Sequence, residues 1–159
     1  MAMEIERKFL VVDESWSSLV VSSTHIRDGL VASGNGRKVR VRISDSAATI
    51  ALKGPHIGIA RAEFEYDIPL SDAEKIMRTM CDIHVLEKRR HLVPYQGVNW
   101  QIDVYEGLLK GIVLADVEMK TIDQLLTIPP WIGREVTGDP EYRKHHMFSE
   151  RMMALEQKR

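Results

Sequence analysis

A chain of 159 residues, 44% hydrophobic and 28% charged, is sized and composed for one folded domain over 1–159 and is not a disordered polymer. Its net charge of -1 argues against a duplex nucleic-acid binder, which needs a basic surface to displace counterions, yet allows a local basic cluster offset by acids elsewhere. The single cysteine, Cys81, permits no disulfide and is read as inert core in a reducing cytoplasm, and the absence of a signal-peptide core and of any apolar run of about 18 residues predicts no membrane partner.

Strands are predicted over 3–12, 26–32, 37–44, 47–53, 60–69, 84–93, 99–106 and 112–120, each bounded by turn chemistry. In the first, Glu4, Glu6 and Lys8 share one face while Ile5 and Phe9 share the other, because residues two apart in a strand point the same way. A short helix is expected over Glu14–Val21. Ser33-Gly34-Asn35-Gly36 then reads as a hairpin turn, since Asn-Gly tolerates positive φ at both central positions; a phosphate-cradling loop is disfavoured because the Walker spacing and its Lys-Ser/Thr ending are missing.

The third strand aligns Arg40 with Arg42, the fourth ends at Lys53, and the fifth sets Arg61, Glu63, Glu65 and Asp67 against Ala62, Phe64, Tyr66 and Ile68. A helix over Ser71–Cys81 follows, with Ser71 and Glu74 spaced as a capping box. Lys88 and Arg90 pair in the sixth strand, Asp103 opposes Ile102 and Val104 in the seventh, and Asp116 and Glu118 oppose Val117 and Met119 in the last. Further helices are expected over Ile122–Ile128 and Lys144–Gln157; the adjacent His145 and His146 are read as exposed rather than as ligands, and Trp16 and Trp100 as packing residues.

A solvated sheet face normally mixes Ser, Thr, Gln and Lys. Here acids cluster as doublets on some strands and bases on others, which places like charges about 7 Å apart along one strand face. That is unfavourable unless neighbouring strands or ligands neutralise them. A closed barrel with a charged lumen supplies both, so the expected fold is α+β: an eight-stranded antiparallel barrel whose apolar exterior is covered by helices. Acid doublets suit the hard cations Mg²⁺ or Mn²⁺, and base doublets suit phosphate. The two together are what phosphoryl transfer to water requires.

The opening Glu4-Ile5-Glu6-Arg7-Lys8 resembles the E-x-E-x-K signature of the CYTH proteins, the triphosphate tunnel metalloenzymes. The later motifs follow in that family's order: Arg40-Val41-Arg42, Lys53, Arg61 to Glu65, Lys88-Arg89-Arg90, Asp103, Asp116-Val117-Glu118 and the tail Trp131 to Thr137. The resemblance implies a metal-dependent hydrolase of a linear triphosphate. Glu4, Glu6 and Glu118 would ligate one metal, with Glu63, Glu65 and Asp116 near a second metal or the attacking water. Lys8, Arg40, Arg42, Lys53, Arg61, Lys88 and Arg90 would line the phosphate track, and Lys88 would protonate the leaving phosphate. Inorganic tripolyphosphate is the expected substrate because aromatic residues that could stack on a base are few. The alternatives are a class IV adenylate cyclase and a thiamine or nucleoside triphosphatase, and a homodimer is left open. Two departures from the family pattern stand out: Leu30 after Gly29, where a tyrosine is common, and Lys144, where an asparagine often stands.

Overall fold

The structure, a computed structural model, describes residues 3–81 and 85–157, the side chain of His145 excepted. His84, the expected first residue of the sixth strand, and the exposure expected of His145 therefore lie outside the described residues. Strands β1 (Met3–Val11), β2 (Ser22–Gly34), β3 (Arg37–Ser44), β4 (Ala47–Ile57), β5 (Ala60–Ile68), β6 (Val85–Tyr95), β7 (Val98–Glu106) and β8 (Val113–Glu118) pair antiparallel in the order β5-β4-β3-β2-β6-β7-β8-β1. Closure comes from β1 pairing back onto β5 through Met3↔Ala62, Glu4↔Arg61 and Ile5↔Ala60. This is the eight-stranded barrel expected from the alternation.

A ninth strand, β9 (Ile132–Glu135), was not expected; it pairs with the far end of β1 through Phe9↔Glu135 and Val11↔Ile132. One edge of β1 is divided between two partners. Glu6 N–H donates to Ile59 O at 3.3 Å beside β5, whereas Val136 N–H donates to Lys8 O at 2.8 Å beside β9. Four residues containing a glycine give too little alternation to announce a strand. The hairpin at Asn35-Gly36 forms as expected, with φ of 52° and 77°. Strand β2 starts earlier than expected because Ser22–His25, polar and without alternation, pair with Leu92–Arg89 of β6.

The helices depart further from expectation. Helix α1 (Leu70–Met80) forms, but Pro69 rather than Ser71 caps it: Ala73 N–H donates to Pro69 O at 3.1 Å, and Glu74 is drawn away to Arg27. The stretch Glu14–Val21 contracts to a 3-10 turn over Ser15–Leu19, started by Ser15 N–H donating to Asp13 Oδ1 at 2.8 Å. Ile122–Ile128 is not helical. The Gln124 side chain accepts from Lys120 N–H at 2.6 Å to make a turn, and Pro129-Pro130 disfavours helical dihedrals in the residue before them. Helix α2 (Lys144–Gln157) forms as expected.

The apolar cores lie mainly on the outside of the barrel wall. Ala73 and Met77 of α1, with Cys81 just beyond its end, pack on Val41, Ile43 and Ala48. The exterior of β1, β7 and β8 is covered by Trp16 of the 3-10 turn and by the non-helical return of the chain, with Met119, Trp131 and Ile132 against Phe9, Trp100 and Val117. Helices lie outside the barrel as expected, while Phe64 and Tyr66 on the outer face of β5 stay 47% and 58% exposed. At one end Met147 of α2 joins Tyr105, Leu109 and Leu114 in an apolar plug, so the lumen is not polar throughout.

Gly29 sets how closely α1 approaches the sheet. A Cβ there would come 2.7 Å from Cys81 Sγ and 3.3 Å from Met77 Cγ, whereas one at Gly34 would meet nothing within 4 Å. Gly29→Ala should therefore lower stability by about 1–3 kcal/mol through overpacking, read as a reduced urea midpoint. Gly34→Ala should stay within about 0.5 kcal/mol of the parent; equal midpoints for all three proteins would contradict this packing.

Candidate active site in the barrel lumen

Strand alternation carries the expected acids to the wall of one cavity of about 670 Å³: Glu4 and Glu6 from β1, Glu63 and Glu65 from β5, Asp116 and Glu118 from β8. The same wall holds Lys8, Arg40, Arg42, Lys53, Arg61 and Arg90. Register explains the grouping. Glu6 lies directly opposite Glu118 and Lys8 opposite Asp116 across β1–β8, so two carboxylates face each other where a sheet would ordinarily avoid it. Carboxylate oxygens of Glu4, Glu6 and Glu118 all lie within 4.8 Å of one another.

The acids perturb one another. Burial, then the charge of Glu6, pushes the Asp116 carboxyl up to about 6, and Asp116 Oδ1 is buried without a hydrogen-bond partner. Glu4 is raised by burial and by Glu63. Glu63, despite burial, is held below its usual value by its hydrogen bond with Glu4 and by Lys53. Lys53 Nζ lies 3.4 Å from Glu4 Oε2 and 3.2 Å from Glu63 Oε2. An all-oxygen donor set with a buried orphan atom fits a hard divalent cation.

The bases fall into two tiers. Arg42 donates Nε and a terminal nitrogen to Asp28 at 2.6 and 2.9 Å, and Arg90 donates likewise to Asp103 at 2.8 and 3.0 Å. These forks are locked. Arg40 and Lys38 are less committed: Arg40 reaches Glu65 at 3.4 Å, its buried Nε lacks a partner, and burial followed by the charge of Arg42 lowers its pKa. Burial and the charges of Arg61, Lys53 and Lys8 bring the Lys38 ammonium down to about 8. Arg61 donates to Gly54 O at 2.9 Å and to Gly36 O at 3.2 Å, so the Asn35-Gly36 turn fixes its direction.

Lys88 is placed differently from expectation. Its side chain is 1% exposed, with the ammonium 2.7 Å from Asp103 and 3.7 Å from Asp28, and it is not on the cavity wall. Burial outweighs Asp103 and lowers its pKa. Asp28, Lys38, Arg143 and Lys144 line or support the cavity without having been anticipated. Lys38 was legible, since Lys38-x-Arg40-x-Arg42 continues one strand face. Asp28 stands alone in a mixed stretch, and Lys144 enters only because α2 docks on the barrel end, its ammonium 3.1 Å from Asp28. Burial favours the neutral form of Asp28, yet Lys144, Arg42 and Lys88 hold it well below the usual carboxylate range.

The raised Asp116 has a stability consequence. Between its ordinary value near 3.8 and about 6 the folded chain holds a proton that the unfolded chain has lost, so this group's contribution falls as pH rises through that window. In EDTA, Asp116→Asn should raise Tm relative to the parent more at pH 7.5 than at pH 4.5. A Tm difference independent of pH would contradict it.

The family model described as the CYTH domain matches residues 2–145. An inorganic triphosphatase of Acetivibrio thermocellus is 37% identical over 142 residues, covering 89% of this chain and 90% of that protein. One from Nitrosomonas europaea is 29% identical over 143 residues, covering 88% and 93%. A solved crystal structure of an inorganic triphosphatase superposes with a TM-score of 0.63 at 27% identity, covering 92% of this chain and 95% of that one. A Pyrococcus horikoshii protein shares the fold at a TM-score of 0.59 and 21% identity, covering 74% and 79%. With the family match spanning nearly the whole sequence and a relative above 30% identity, this chain belongs to the CYTH domain family.

Proposed function

We propose that the chain is a divalent-metal-dependent hydrolase that takes inorganic tripolyphosphate into its lumen and cleaves a terminal phosphoanhydride. The observation that carries this is one cavity wall bearing oxygen donors from β1, β5 and β8 beside guanidinium and ammonium groups from β3, β4 and β5; relatives with the same fold are inorganic triphosphatases. Tripolyphosphate is preferred over a nucleotide because, among the described residues, Phe148 is the sole carbocyclic ring on that wall. We read the protein as a single-domain cytoplasmic enzyme.

Glu4, Glu6 and Glu118 would hold Mg²⁺ or Mn²⁺, with Glu63, Glu65 and Asp116 beside the reacting end. The cation would polarise the phosphate oxygens and lower the cost of ionising the attacking water. Lys8, Lys38, Arg40, Lys53 and Arg61 take the chain of phosphates, while Arg42 and Arg90, aimed by Asp28 and Asp103, present fixed donors. Asp116 and Glu63 orient the water and accept its proton as its oxygen bonds to the terminal phosphorus; the bridging P–O bond breaks and pyrophosphate leaves. Asp116 near 6 is suited to that acceptance around neutral pH. Lys88 is sealed behind its carboxylates, so we assign it to holding Asp103 and Asp28 rather than to protonating the leaving group.

Phosphate release should be fastest from tripolyphosphate in a panel with ATP, thiamine triphosphate and pyrophosphate, and should cease in excess EDTA. Higher kcat/KM for ATP, cyclic AMP as the main product, or undiminished hydrolysis in EDTA would overturn the reading.

Binding and chemistry should separate on mutation. Arg40→Ala removes a phosphate contact made in both ground and transition states, so KM should rise roughly tenfold, the scale of one charged hydrogen bond. Glu6→Gln keeps the shape but removes a ligand charge, so kcat should fall about a hundredfold or more. Steady-state kinetics across a Mg²⁺ titration decides; parent-like kcat in folded Glu6→Gln would remove the metal assignment.

A further inference from the structure

A second constellation of metal-ligand type lies on the outer wall. His25 of β2, Glu87 of β6 and Glu106 of β7 offer one imidazole nitrogen and two carboxylate oxygens, all within 4.8 Å of one another. None of the three is on the lumen wall. Each sits next to an inward-facing or buried residue, Ile26, Lys88 and Tyr105 respectively, as alternation requires of an outward side chain.

Register makes the arrangement notable. Glu87 and Glu106 are direct cross-strand partners, and like charges placed opposite each other destabilise a sheet. The neighbouring side chains answer this only in part. His25 Nε2 is 3.1 Å from Glu87 Oε2 but 3.8 Å from Glu106 Oε2, and Arg89 Nε is 3.7 Å from Glu106 Oε1, beyond hydrogen-bond reach. The three side chains are between 33% and 48% exposed, open to an ion from solvent. Ligands around a tetrahedral zinc ion sit roughly 3.3 Å apart, within reach of small rotamer changes.

We propose that His25, Glu87 and Glu106 form a transition-metal site on the barrel exterior, selective for Zn²⁺ and similar borderline cations and separate from the lumen. The donor chemistry distinguishes the two places. The lumen offers oxygen alone, which suits Mg²⁺ or Mn²⁺, whereas an imidazole nitrogen with two carboxylates suits Zn²⁺, Co²⁺ or Ni²⁺. An ion here ties β2, β6 and β7 together, the three strands that carry Asp28, Lys88 with Arg90, and Asp103 on their inner side. The site thus clamps the strands behind the phosphate-facing wall without touching substrate.

The test is calorimetric titration of the full chain with Zn²⁺ in millimolar Mg²⁺, repeated by following the visible absorption of added Co²⁺. The parent should take up one Zn²⁺ per chain. His25→Ala and Glu87→Gln should each weaken binding by about tenfold or more, since losing a ligand costs at least what losing its outer partner does, while melting in EDTA stays near that of the parent. Glu6→Gln, altered in the lumen, should retain the site. Equal Zn²⁺ affinity in parent and His25→Ala overturns the proposal. So does loss of binding in Glu6→Gln with retention in His25→Ala, which moves the ion to the lumen, and so does no uptake at all, which leaves the imidazole as a hydrogen-bonding neighbour of the two glutamates.

Discussion

The structure depends on two buried carboxylates that hold together cations which would otherwise repel one another. Asp28 gathers Arg42, Lys88 and Lys144, and Asp103 gathers Lys88 and Arg90. Charges taken out of water at this density are tolerated only when paired with good geometry and satisfied donors, and removing one partner of such a pair costs about 3–5 kcal/mol. The two aspartates supply that geometry through bidentate forks. Lys88, between them, belongs to both halves of the network and has no room for solvent. What remains facing the cavity is a set of cations already aimed and already desolvated.

This pairing is deliberately incomplete toward the open lumen. Arg40 Nε, Asp116 Oδ1 and Glu63 Oε2 are buried without a hydrogen-bond partner, although Glu63 Oε2 keeps an ion pair with Lys53. Such groups cost free energy in the empty chain. Under the proposed function their orientation would convert that cost into affinity when an anion with many oxygens and a divalent cation enter together. Preorganised charge of this kind needs little rearrangement during the reaction.

Much of this was legible in the sequence because a strand sorts its side chains by parity. Strict alternation from Arg61 to Ile68 and the Glu4-Glu6-Lys8 face indicate a charged inner wall, and charge doublets that would repel on an open sheet indicate closure. Parity says nothing about what caps the ends. Lys144 reaches Asp28 only because Met147 and Phe148 are buried where α2 docks, and a lone aspartate between Arg27 and Gly29 gives no local hint of three cationic partners. The same limit explains the missed strand β9, whose four residues are ordered by the spare edge of β1 rather than by their own pattern. The helix expected at Ile122–Ile128 failed for a local reason, the competing Gln124 side chain and the two prolines that follow. Lys88 shows a subtler limit: its inward face was legible, but its depth behind Asp103 was not.

The central claim is that triphosphate and metal share the lumen, with acids on β1, β5 and β8 and bases on β3, β4 and β5. A crystal structure of the protein with tripolyphosphate and Mn²⁺, recorded with anomalous scattering at the manganese edge, tests it most directly. The account predicts manganese in direct coordination with Glu4, Glu6 or Glu118 and phosphate oxygens against Arg40 and Arg61. Manganese bound only outside the barrel, or a polyphosphate lying on the outer surface with the lumen filled by water, would contradict it.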